Sequence, residues 1–376
     1  MLYIGLMSGT SMDAIDAALV DISNEQIRLI AYRQYPITAE LRRELKAAGG
    51  YSNIDHITRL DVRMGRLFAE AASALIQENG RENGDIAAIG CHGQTILHRP
   101  EPPEPTTLQI GDPNLITYIT GITTVADFRR MDIAAGGQGA PLTPALHNQL
   151  FRHATRNRVV VNIGGMANIT ILPAMDTNST ICGFDTGPGN VLLDEWAHKH
   201  TGNTMDTDGC WAASGTCNLK LLELLLLDGY FDLTPPKSTG RDYFNLHWLQ
   251  ARLENFDHAA PPEDIQSTLV QLTAITITKA INLYAPSTKE VIVGGGGAHN
   301  PYLMQTLTRN LATCKVISTG DLGINPDALE AIAFAWLARC RIEGQPGNLP
   351  AVTGASSSVL LGCIYEAGTN GWKAST

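Results

Sequence analysis

The chain has 376 residues, 44% of them hydrophobic and 17% charged, which is enough apolar material for one large domain or two smaller ones. The formal net charge is −10 and no block of Lys or Arg occurs, so we expect no nucleic-acid partner. No apolar run approaches the ~20 residues of a bilayer span, and the N-terminus does not resemble a secretory leader. The seven cysteines contain no C-x-x-C pair. Together these features predict a cytoplasmic protein with no membrane partner.

The first third of the sequence predicts a β-meander followed by alternating helices and strands. An amphipathic helix is expected over residues 57–77, where apolar residues recur at the helical period. Strands are expected at residues 2–7, 17–22, 27–35, 86–91 and 122–126. The proline-rich stretch 98–113 is expected to be a surface loop, because successive prolines cannot join a helix or a central strand.

After Pro144 the same order of elements begins again. Strands are expected at residues 158–163, 169–172, 181–184 and 290–293. Helices are expected at residues 191–200, 214–227, 246–256, 262–284, 301–311 and 328–341. The unit of strand, glycine turn, strand and strand occurs near residue 5 and near residue 160, which predicts two similar α/β halves. We expect an N-terminal α/β domain over 1–133, joined by the C-terminal segment 345–376, and a larger α/β domain with inserted helices over 134–344.

Glycine-bearing turns follow four of the predicted strands, at Gly9, Gly164–Gly165, Gly187 with Gly189, and Gly294–Gly297. Glycine lets the backbone approach a ligand and direct its N–H groups at phosphate oxygens, although strand-to-helix turns also contain glycine for steric reasons. No G-x-x-x-x-G-K-[ST], complete G-x-G-x-x-G or G-x-S-x-G motif occurs. These absences argue against a P-loop protein, a dinucleotide-binding fold and a serine hydrolase.

Several polar residues admit both a structural and a functional interpretation. Asp185 follows an apolar strand and precedes Gly and Pro, so it either stabilises a turn or lies in an α/β ligand site. Glu330, in the first turn of a helix, complements the helix dipole in the structural interpretation. His92 and Gln94 end a buried strand and belong either to a satisfied hydrogen-bond network or to a site. Arg129 lies between two aspartates and is expected in a surface ion-pair cluster or a site.

The longer motifs resemble one family over essentially the whole chain. The motifs GLMSGTSMDAID, CHGQTILHRP, QIGDPNLI, ADFRRMDIAAGGQGAPLTP, NIGGMANIT, GFDTGPGN and VIVGGGGAHNPYL occur in the order seen in anhydro-N-acetylmuramic acid kinases. The resemblance implies a two-domain α/β fold of the actin, hexokinase and Hsp70 group (ribonuclease H-like), with ATP and sugar in the inter-domain cleft.

The resemblance also implies an activity. An ATP-dependent kinase of this family opens the 1,6-anhydro bridge of 1,6-anhydro-N-acetylmuramic acid by hydrolysis and phosphorylates O6. The products are N-acetylmuramic acid 6-phosphate and ADP, in peptidoglycan recycling. The family implies a homodimer, a small-molecule anhydro amino sugar as substrate, and Mg²⁺ with the ATP. The alternatives are a kinase of the same fold acting on another amino sugar and a non-catalytic nucleotide-dependent member of the fold.

The resemblance assigns roles to individual residues. Asp185 would be the catalytic base and Glu330 its partner. The residues expected at the ATP are Gly9, Thr10, Ser11, Met12, Asp13, Ala14, Ile15, Asp16, Gly164, Gly165, Asn168, Gly187, Gly294, Gly295, Gly296 and Asn300. Asp13 would hold Mg²⁺ through water, and the hydroxyls of Ser8, Thr10 and Ser11 would help to cradle the phosphates. The residues expected at the sugar are His92, Gln94, Arg129 and Asp132, with Arg129 on its lactyl carboxylate. Ala14 stands where the family usually has glycine, which costs about 1 kcal/mol only if that position needs a positive φ.

Overall fold

A computed structural model of the chain describes residues 1–23, 26–48, 53–177 and 179–368. It divides into two compact units: Met1–Leu146 with Ala328–Thr376 is the first, and His147–Asp327 is the second. Residues 369–376 of the C-terminal segment expected over 345–376 lie outside the described residues. No helix in the described ranges is long and apolar enough to cross a membrane.

The elements are numbered in chain order. The strands are β1 Leu2–Ser8, β2 Ala14–Ser23, β3 Gln26–Pro36, β4 Ile86–Arg99, β5 Thr106–Ile110, β6 Thr124–Ala126, β7 Arg158–Ile163, β8 Met166–Leu172, β9 Cys182–Pro188, β10 Glu290–Gly294, β11 Lys315–Ser318 and β12 Cys363–Tyr365. The helices are α1 Ala39–Ala47, α2 Ile54–Glu78, α3 Pro113–Thr120, α4 Arg130–Ala134, α5 Thr143–Phe151, α6 Val191–Thr201, α7 Cys210–Ser214, α8 Leu219–Leu226, α9 Leu246–Leu253, α10 Pro262–Tyr284, α11 Pro301–Asn310, α12 Leu329–Ile342 and α13 Pro350–Thr353.

Each unit is built on one mixed sheet, and the two sheets share one topology. The first sheet has the order β12-β6-β4-β1-β2-β3 with β5 on β4, and the second has the order β11-β10-β7-β8-β9. In both, an antiparallel meander of three strands is followed by a strand parallel to the first one and another parallel strand beyond it. The predicted α/β fold with two related sheets is therefore confirmed.

The first sheet packs α2 on one face and α12 on the other. Ile4 and Leu6 of β1 lie in the same buried cluster as Phe68 of α2, as the period of two along a strand requires. On the opposite face, a Cβ added to Gly5 would lie 1.7 Å from the backbone oxygen of Ala331 in α12. Only glycine permits so close an approach of helix to strand.

Gly90 of β4 makes the second half of this contact. It is the register partner of Gly5, and a Cβ on it would lie 2.0 Å from the backbone oxygen of Phe334. Helix α12 therefore belongs to the first unit, although sequence analysis placed residues 328–344 in the second domain. Residues 134–146 differ in the same way, since the division falls at Leu146, within α5.

Three strands, β5, β11 and β12, and the helices α1, α3, α4, α5, α7 and α13 were not predicted. Residues 106–110 of the proline-rich stretch form β5, antiparallel to the end of β4, and not a loop. Strand β11, the parallel edge of the second sheet, was not predicted. The core of the second unit follows expectation: β7 alternates Val159, Val161 and Ile163 into a cluster that includes much of α10.

Candidate active site

The turn between β1 and β2 is held open by contacts from its own backbone and from α1. The Met12 amide donates to the Gly9 carbonyl over 3.1 Å, and Met12 has a left-handed φ of 54°. The Ser11 hydroxyl donates to the exposed Asp13 carboxylate, and Arg42 Nε donates to the Ser11 carbonyl over 3.0 Å. The turn is thus ordered, and Thr10 and Asp13 within it are exposed.

Gly9 faces open space. A Cβ on it would meet only the Met7 methyl group at 3.9 Å, and its φ lies outside the left-handed region. The fold therefore does not require glycine at this position. Thr10 beside it is exposed. Ala14 begins β2 and also lacks a positive φ, so alanine at this position costs the fold nothing.

The last two residues of the expected phosphate turn serve the fold instead. Ile15 is 1% exposed and packs in the core. The Asp16 carboxylate accepts hydrogen bonds from Tyr32 and from Gln34 Nε2, the latter over 2.9 Å, both on β3. The open part of the turn is therefore Gly9 to Asp13.

Two buried polar side chains lie at the last residue pair between β1 and β4. Ser8 and Gln94 are register partners on these parallel strands. Both side chains are buried, and within the described ranges neither the Ser8 hydroxyl nor Gln94 Oε1 has a hydrogen-bond partner. Gln94 Nε2 donates to the Thr95 carbonyl, so the atom of its amide without a described partner is the acceptor Oε1. Buried polar atoms without partners are rare, and strand ends are where α/β proteins bind ligands.

Arg129 and His92 form a fixed pair in the first unit. Arg129 Nε donates to His92 Nε2 over 2.9 Å, and Arg129 Nη1 donates to the Gly139 carbonyl over 2.7 Å. His92 Nδ1 then carries the proton and lies 2.9 Å from the Gly93 carbonyl. Burial, and then the Arg129 charge, hold the pKa of His92 well below its usual range. His92 is therefore a neutral residue that holds Arg129 and has no ring nitrogen left for a sugar.

Glu330 lies on the same side of the sheet. Burial lowers the pKa of Arg129 to about 10, and the Glu330 and Asp132 charges act against that shift. One turn along α12 from Glu330, the Phe334 ring lies 4.6 Å from the His92 ring, centroid to centroid. The close contact of α12 with the sheet thus brings Glu330, His92 and Arg129 together, with the guanidinium still charged at neutral pH.

Asp132 is a structural residue. It is fully buried, and its Oδ1 accepts from Asn348 Nδ2 and the Thr353 hydroxyl, both over 2.7 Å. Its Oδ2 accepts from the Gly139 amide over 2.7 Å. These donors fix the loop around α4 to the segment before and within α13, so the expectation that Asp132 faces the sugar is not supported by its environment.

In the second unit, the turn between β7 and β8 consists of Gly164 and Gly165. Their carbonyls accept hydrogen bonds from the amides of Gly189, Asn190 and Val191, at 2.8 to 3.1 Å, which seals the turn against the start of α6. Neither glycine has a positive φ, and a Cβ on either would meet no atom closer than 3.5 Å. As at Gly9, the fold does not require glycine at these two positions.

Other glycines of the expected ATP site are explained by packing. Gly187 has a φ of 148°, and a Cβ on it would lie 2.8 Å from the Phe231 ring. Gly295 has a φ of 77° and would clash with Asn162 and the backbone of Ile163. Gly296 is open, because its nearest contact would be at 3.7 Å. Gly294 ends β10.

The two asparagines of the expected ATP site differ from each other. Asn300 is the N-cap of α11, where its Oδ1 accepts from the Leu303 amide over 3.0 Å. The same oxygen packs under Gly209, where a Cβ would lie 2.1 Å away, so this carbonyl is used by the fold. Asn168, half-buried on β8, is the register partner of Asp185.

Asp185 lies on β9 with its carboxylate held on one side. Its Oδ2 accepts from the Ser238 hydroxyl and the Thr239 amide, each over 3.0 Å, and no partner for Oδ1 is found in the described residues. Burial raises the pKa of Asp185, while the Thr239 amide, the Ser238 hydroxyl and the Lys237 charge oppose that shift. A half-buried carboxylate with a raised pKa and one unoccupied oxygen is suited to accept a proton.

The segment that holds Asp185, which contains Ser238 and Thr239, was not predicted from the sequence. Nearby, Asp228 accepts hydrogen bonds from the Tyr230 amide, the Tyr243 hydroxyl and Trp248 Nε1 at 2.8 to 2.9 Å, and from Arg252. Burial acts to raise the pKa of Asp228, but these donors outweigh it and the pKa is lowered. No local signal marks this role, because the partners are spread over the chain between Asp228 and α9.

The residues around the open turn also determine how a metal ion could bind. In the described part of the chain, no cluster of three or more His, Cys, Asp or Glu side chains is placed to hold a metal ion. A single exposed carboxylate, Asp13, borders the open turn. This suits Mg²⁺, which keeps most of its waters and usually binds through one or two carboxylates together with substrate phosphates.

The repeated topology and the open glycine turns after the first strand of each sheet define a protein of the actin, hexokinase and Hsp70 fold group. The family model for anhydro-N-acetylmuramic acid kinase matches residues 1–367. The chain is 48% identical to the anhydro-N-acetylmuramic acid kinase of Photobacterium profundum, covering 97% of this chain and 98% of that one. It is 50% identical to that of Coxiella burnetii, covering 96% and 97%. The chain belongs to the anhydro-N-acetylmuramic acid kinase family.

Two solved structures of other proteins are distantly similar. The activator of the 2-hydroxyisocaproyl-CoA dehydratase from Clostridium difficile has a TM-score of 0.47 and 12% identity, with 92% of this chain and 96% of that one covered. A ROK family glucokinase from Streptomyces griseus has a TM-score of 0.41 and 13% identity, covering 90% and 99%. At these scores the similarity carries no weight for the site.

Proposed function

We propose that the protein is an ATP-dependent kinase that opens the 1,6-anhydro bridge of 1,6-anhydro-N-acetylmuramic acid and phosphorylates O6. The products are N-acetylmuramic acid 6-phosphate and ADP, and the reaction belongs to peptidoglycan recycling. The observation that carries the chemistry is Asp185, a half-buried carboxylate held on one oxygen and with a raised pKa. The test is an assay of purified protein with ATP, Mg²⁺ and the anhydro sugar; absence of ADP and sugar phosphate would overturn the proposal.

Asp185 acts as the general base in this proposal. O6 of the anhydro sugar is bonded to C1 and carries no proton, so the base cannot activate it as ordinary kinases activate a hydroxyl. Asp185 instead takes a proton from a water molecule whose oxygen bonds to C1. The C1–O6 bond breaks, O6 receives its electron pair, and O6 then attacks the γ-phosphoryl group while ADP leaves. Glu330 is proposed as the second acidic residue of the reaction.

Arg129 and Gln94 recognise the sugar. The lactyl carboxylate needs a cation, and Arg129 is held by His92 and Gly139 so that Nη2 is the nitrogen without a partner among the described residues. Gln94 Oε1, buried and also without a described partner, is proposed to accept from a hydroxyl or amide of the sugar. A carboxylate bound by guanidinium is among the stronger polar contacts in proteins.

The open turns hold the nucleotide phosphates. Gly9 to Asp13 supplies backbone N–H groups and hydroxyls in the first unit, and Gly164–Gly165 supplies backbone groups in the second. Asp13 would hold Mg²⁺ through water, and the ion, when bound, neutralises phosphate charge. Asn168 and Gly296 are proposed to border the nucleotide as well.

Two alternatives make different predictions. A kinase of the same fold that acts on an amino sugar with a free hydroxyl would not add water to its substrate. Reaction in ¹⁸O-labelled water separates the two, because the label enters C1 only if the anhydro bridge is hydrolysed. A non-catalytic member would bind nucleotide without turnover of any sugar.

We also propose a homodimer, to be tested by light scattering, and a cytoplasmic location, where ATP is available.

A further inference from the structure

Arg241 lies in the segment between α8 and α9, and its backbone is fixed on both sides. Asn245 Nδ2 donates to the Arg241 carbonyl over 2.9 Å. The amides of Tyr243 and Phe244 donate to the Gly240 carbonyl, each over 3.0 Å. The Phe244 side chain is fully buried in the core of the second unit, so the position from which Arg241 extends is set by packing.

The Arg241 side chain has one buried donor that the described residues do not satisfy. Its Nε is buried, and no hydrogen-bond partner for it exists among the residues that the structure describes. The ion pairs found in that part of the chain involve other arginines, such as Arg156 and Arg158 on Glu290. A guanidinium is always charged and carries five donors, so a buried donor without a partner is costly unless a ligand supplies the acceptor.

The guanidinium faces the glycine turn. Its Nε and Nη2 both lie 3.5 Å from the position of a Cβ on Gly165. Gly164 and Gly165 adopt ordinary φ values, and their carbonyls are already occupied by amides at the start of α6. Because the two glycines have no side chains, a space remains in front of the turn. The Nε–Nη2 edge of the Arg241 guanidinium lines that space.

We propose that Arg241 binds an oxyanion of the β- or γ-phosphate of the nucleoside triphosphate at the Gly164–Gly165 turn. This deepens the proposed function, on which it rests for the identity of the nucleotide. The planar fork of a guanidinium contacts two oxygens of a phosphate at once, and its charge stabilises phosphate oxygens during phosphoryl transfer. The turn itself contains no lysine or arginine, so Arg241 brings to it a positive charge from a distant part of the chain.

The test is nucleotide binding by calorimetry with Arg241→Ala, Arg241→Lys and, as a matched control, the exposed Arg309→Ala in α11. The probes are ADP, AMP and the non-hydrolysable triphosphate analogue AMPPNP, without sugar. We expect Arg241→Ala to weaken AMPPNP binding by about tenfold or more and AMP binding far less, with partial recovery in Arg241→Lys and no change in Arg309→Ala. The apo melting temperature of Arg241→Ala should not fall, because the residue lost has an unsatisfied buried donor.

Two results would overturn the inference. One is unchanged AMPPNP affinity in a folded Arg241→Ala variant, and the other is an equal loss for AMP and AMPPNP, which would indicate a general effect on the site. Because the probes are nucleotides without sugar, a failure of the proposed sugar chemistry leaves this result readable.

Discussion

The glycine turns after β1 and after β7 occupy the same place in two sheets of one topology, yet they are built differently. The first is long, with hydroxyls, an exposed carboxylate and a left-handed Met12, and Arg42 Nε is bonded to its backbone. The second is only Gly164–Gly165, sealed by α6, and the arginine beside it has a buried Nε without a described partner. In the first turn, Arg42 therefore stabilises the backbone, whereas beside the second turn Arg241 is proposed to bind a ligand.

The largest expected effect comes from substituting Asp185, and it should differ in kind from the effect of substituting Asp13. Asp185→Asn removes the proposed base and should lower kcat by about 10²–10⁴-fold while nucleotide binding persists. Asp13→Asn, in the first turn, should mainly raise the Mg²⁺ concentration required for activity, because its proposed role is to hold the ion. Steady-state kinetics with Mg²⁺ titration measure both, with the exposed Asp176→Asn as control. Near-normal turnover by Asp185→Asn would remove that residue from the chemistry.

Glycines at and beside the second turn should respond in opposite ways. Gly189→Ala would place a Cβ 2.4 Å from the Gly164 carbonyl oxygen, so it should destabilise the protein by about 1–3 kcal/mol in urea unfolding. Gly165→Ala meets only ordinary contacts at 3.5 Å and should fold normally, but its methyl group should raise KM for ATP severalfold. If Gly165→Ala binds ATP like the wild type, the second turn does not approach the phosphates.

The hydrogen bond from Ser238 gives a smaller, pH-dependent effect. This donor and the Thr239 amide both lower the pKa of Asp185 against the larger effect of burial. In Ser238→Ala the pKa of Asp185 should therefore rise further, and the base is ionised only at higher pH. The acid limb of the kcat profile should move to higher pH, with a modest loss of kcat at the plateau. Ser238→Thr keeps the hydroxyl and should restore the profile, whereas an unmoved limb in Ser238→Ala would contradict the assignment.

The smallest effect tests the first turn. Arg42→Ala removes the donor to the Ser11 carbonyl and should lower the free energy of unfolding by about 1 kcal/mol. The neighbouring Arg43 is exposed, and its hydrogen bond within the described residues is to the Ala39 carbonyl of its own helix, so Arg43→Ala is the matched control. Chemical denaturation of both variants measures the difference. Equal stability of the two variants would contradict the stabilising role assigned to the hydrogen bond from Arg42.

Local pattern predicted the meanders and the turns after β1 and β7, because β-branched runs ending in glycine are local signals. Contacts between distant parts of the chain were not predictable in this way. Asp132 finds its donors at Asn348 and Thr353, and α12 is seated by Gly5 and Gly90. The sequence around Arg241 contains no motif, because the feature that singles out this arginine is its proximity to Gly165, which lies far away in the chain. Among the site residues, Asp132, Asn300 and His92 have protein hydrogen-bond partners that the sequence did not indicate, and their roles at a ligand stay predictions.

The close contact of α12 with Gly5 and Gly90 also affects the order in which the two units fold during synthesis. Gly5 and Gly90 leave the ribosome early, whereas the helix that covers them begins at Leu329, after the whole of the second unit. The second unit is one continuous stretch and can complete its core first, which reverses the usual N-terminal-first order of domains. A nascent chain stalled near residue 146 should therefore present an uncovered sheet face, a natural substrate for chaperones, until α12 arrives.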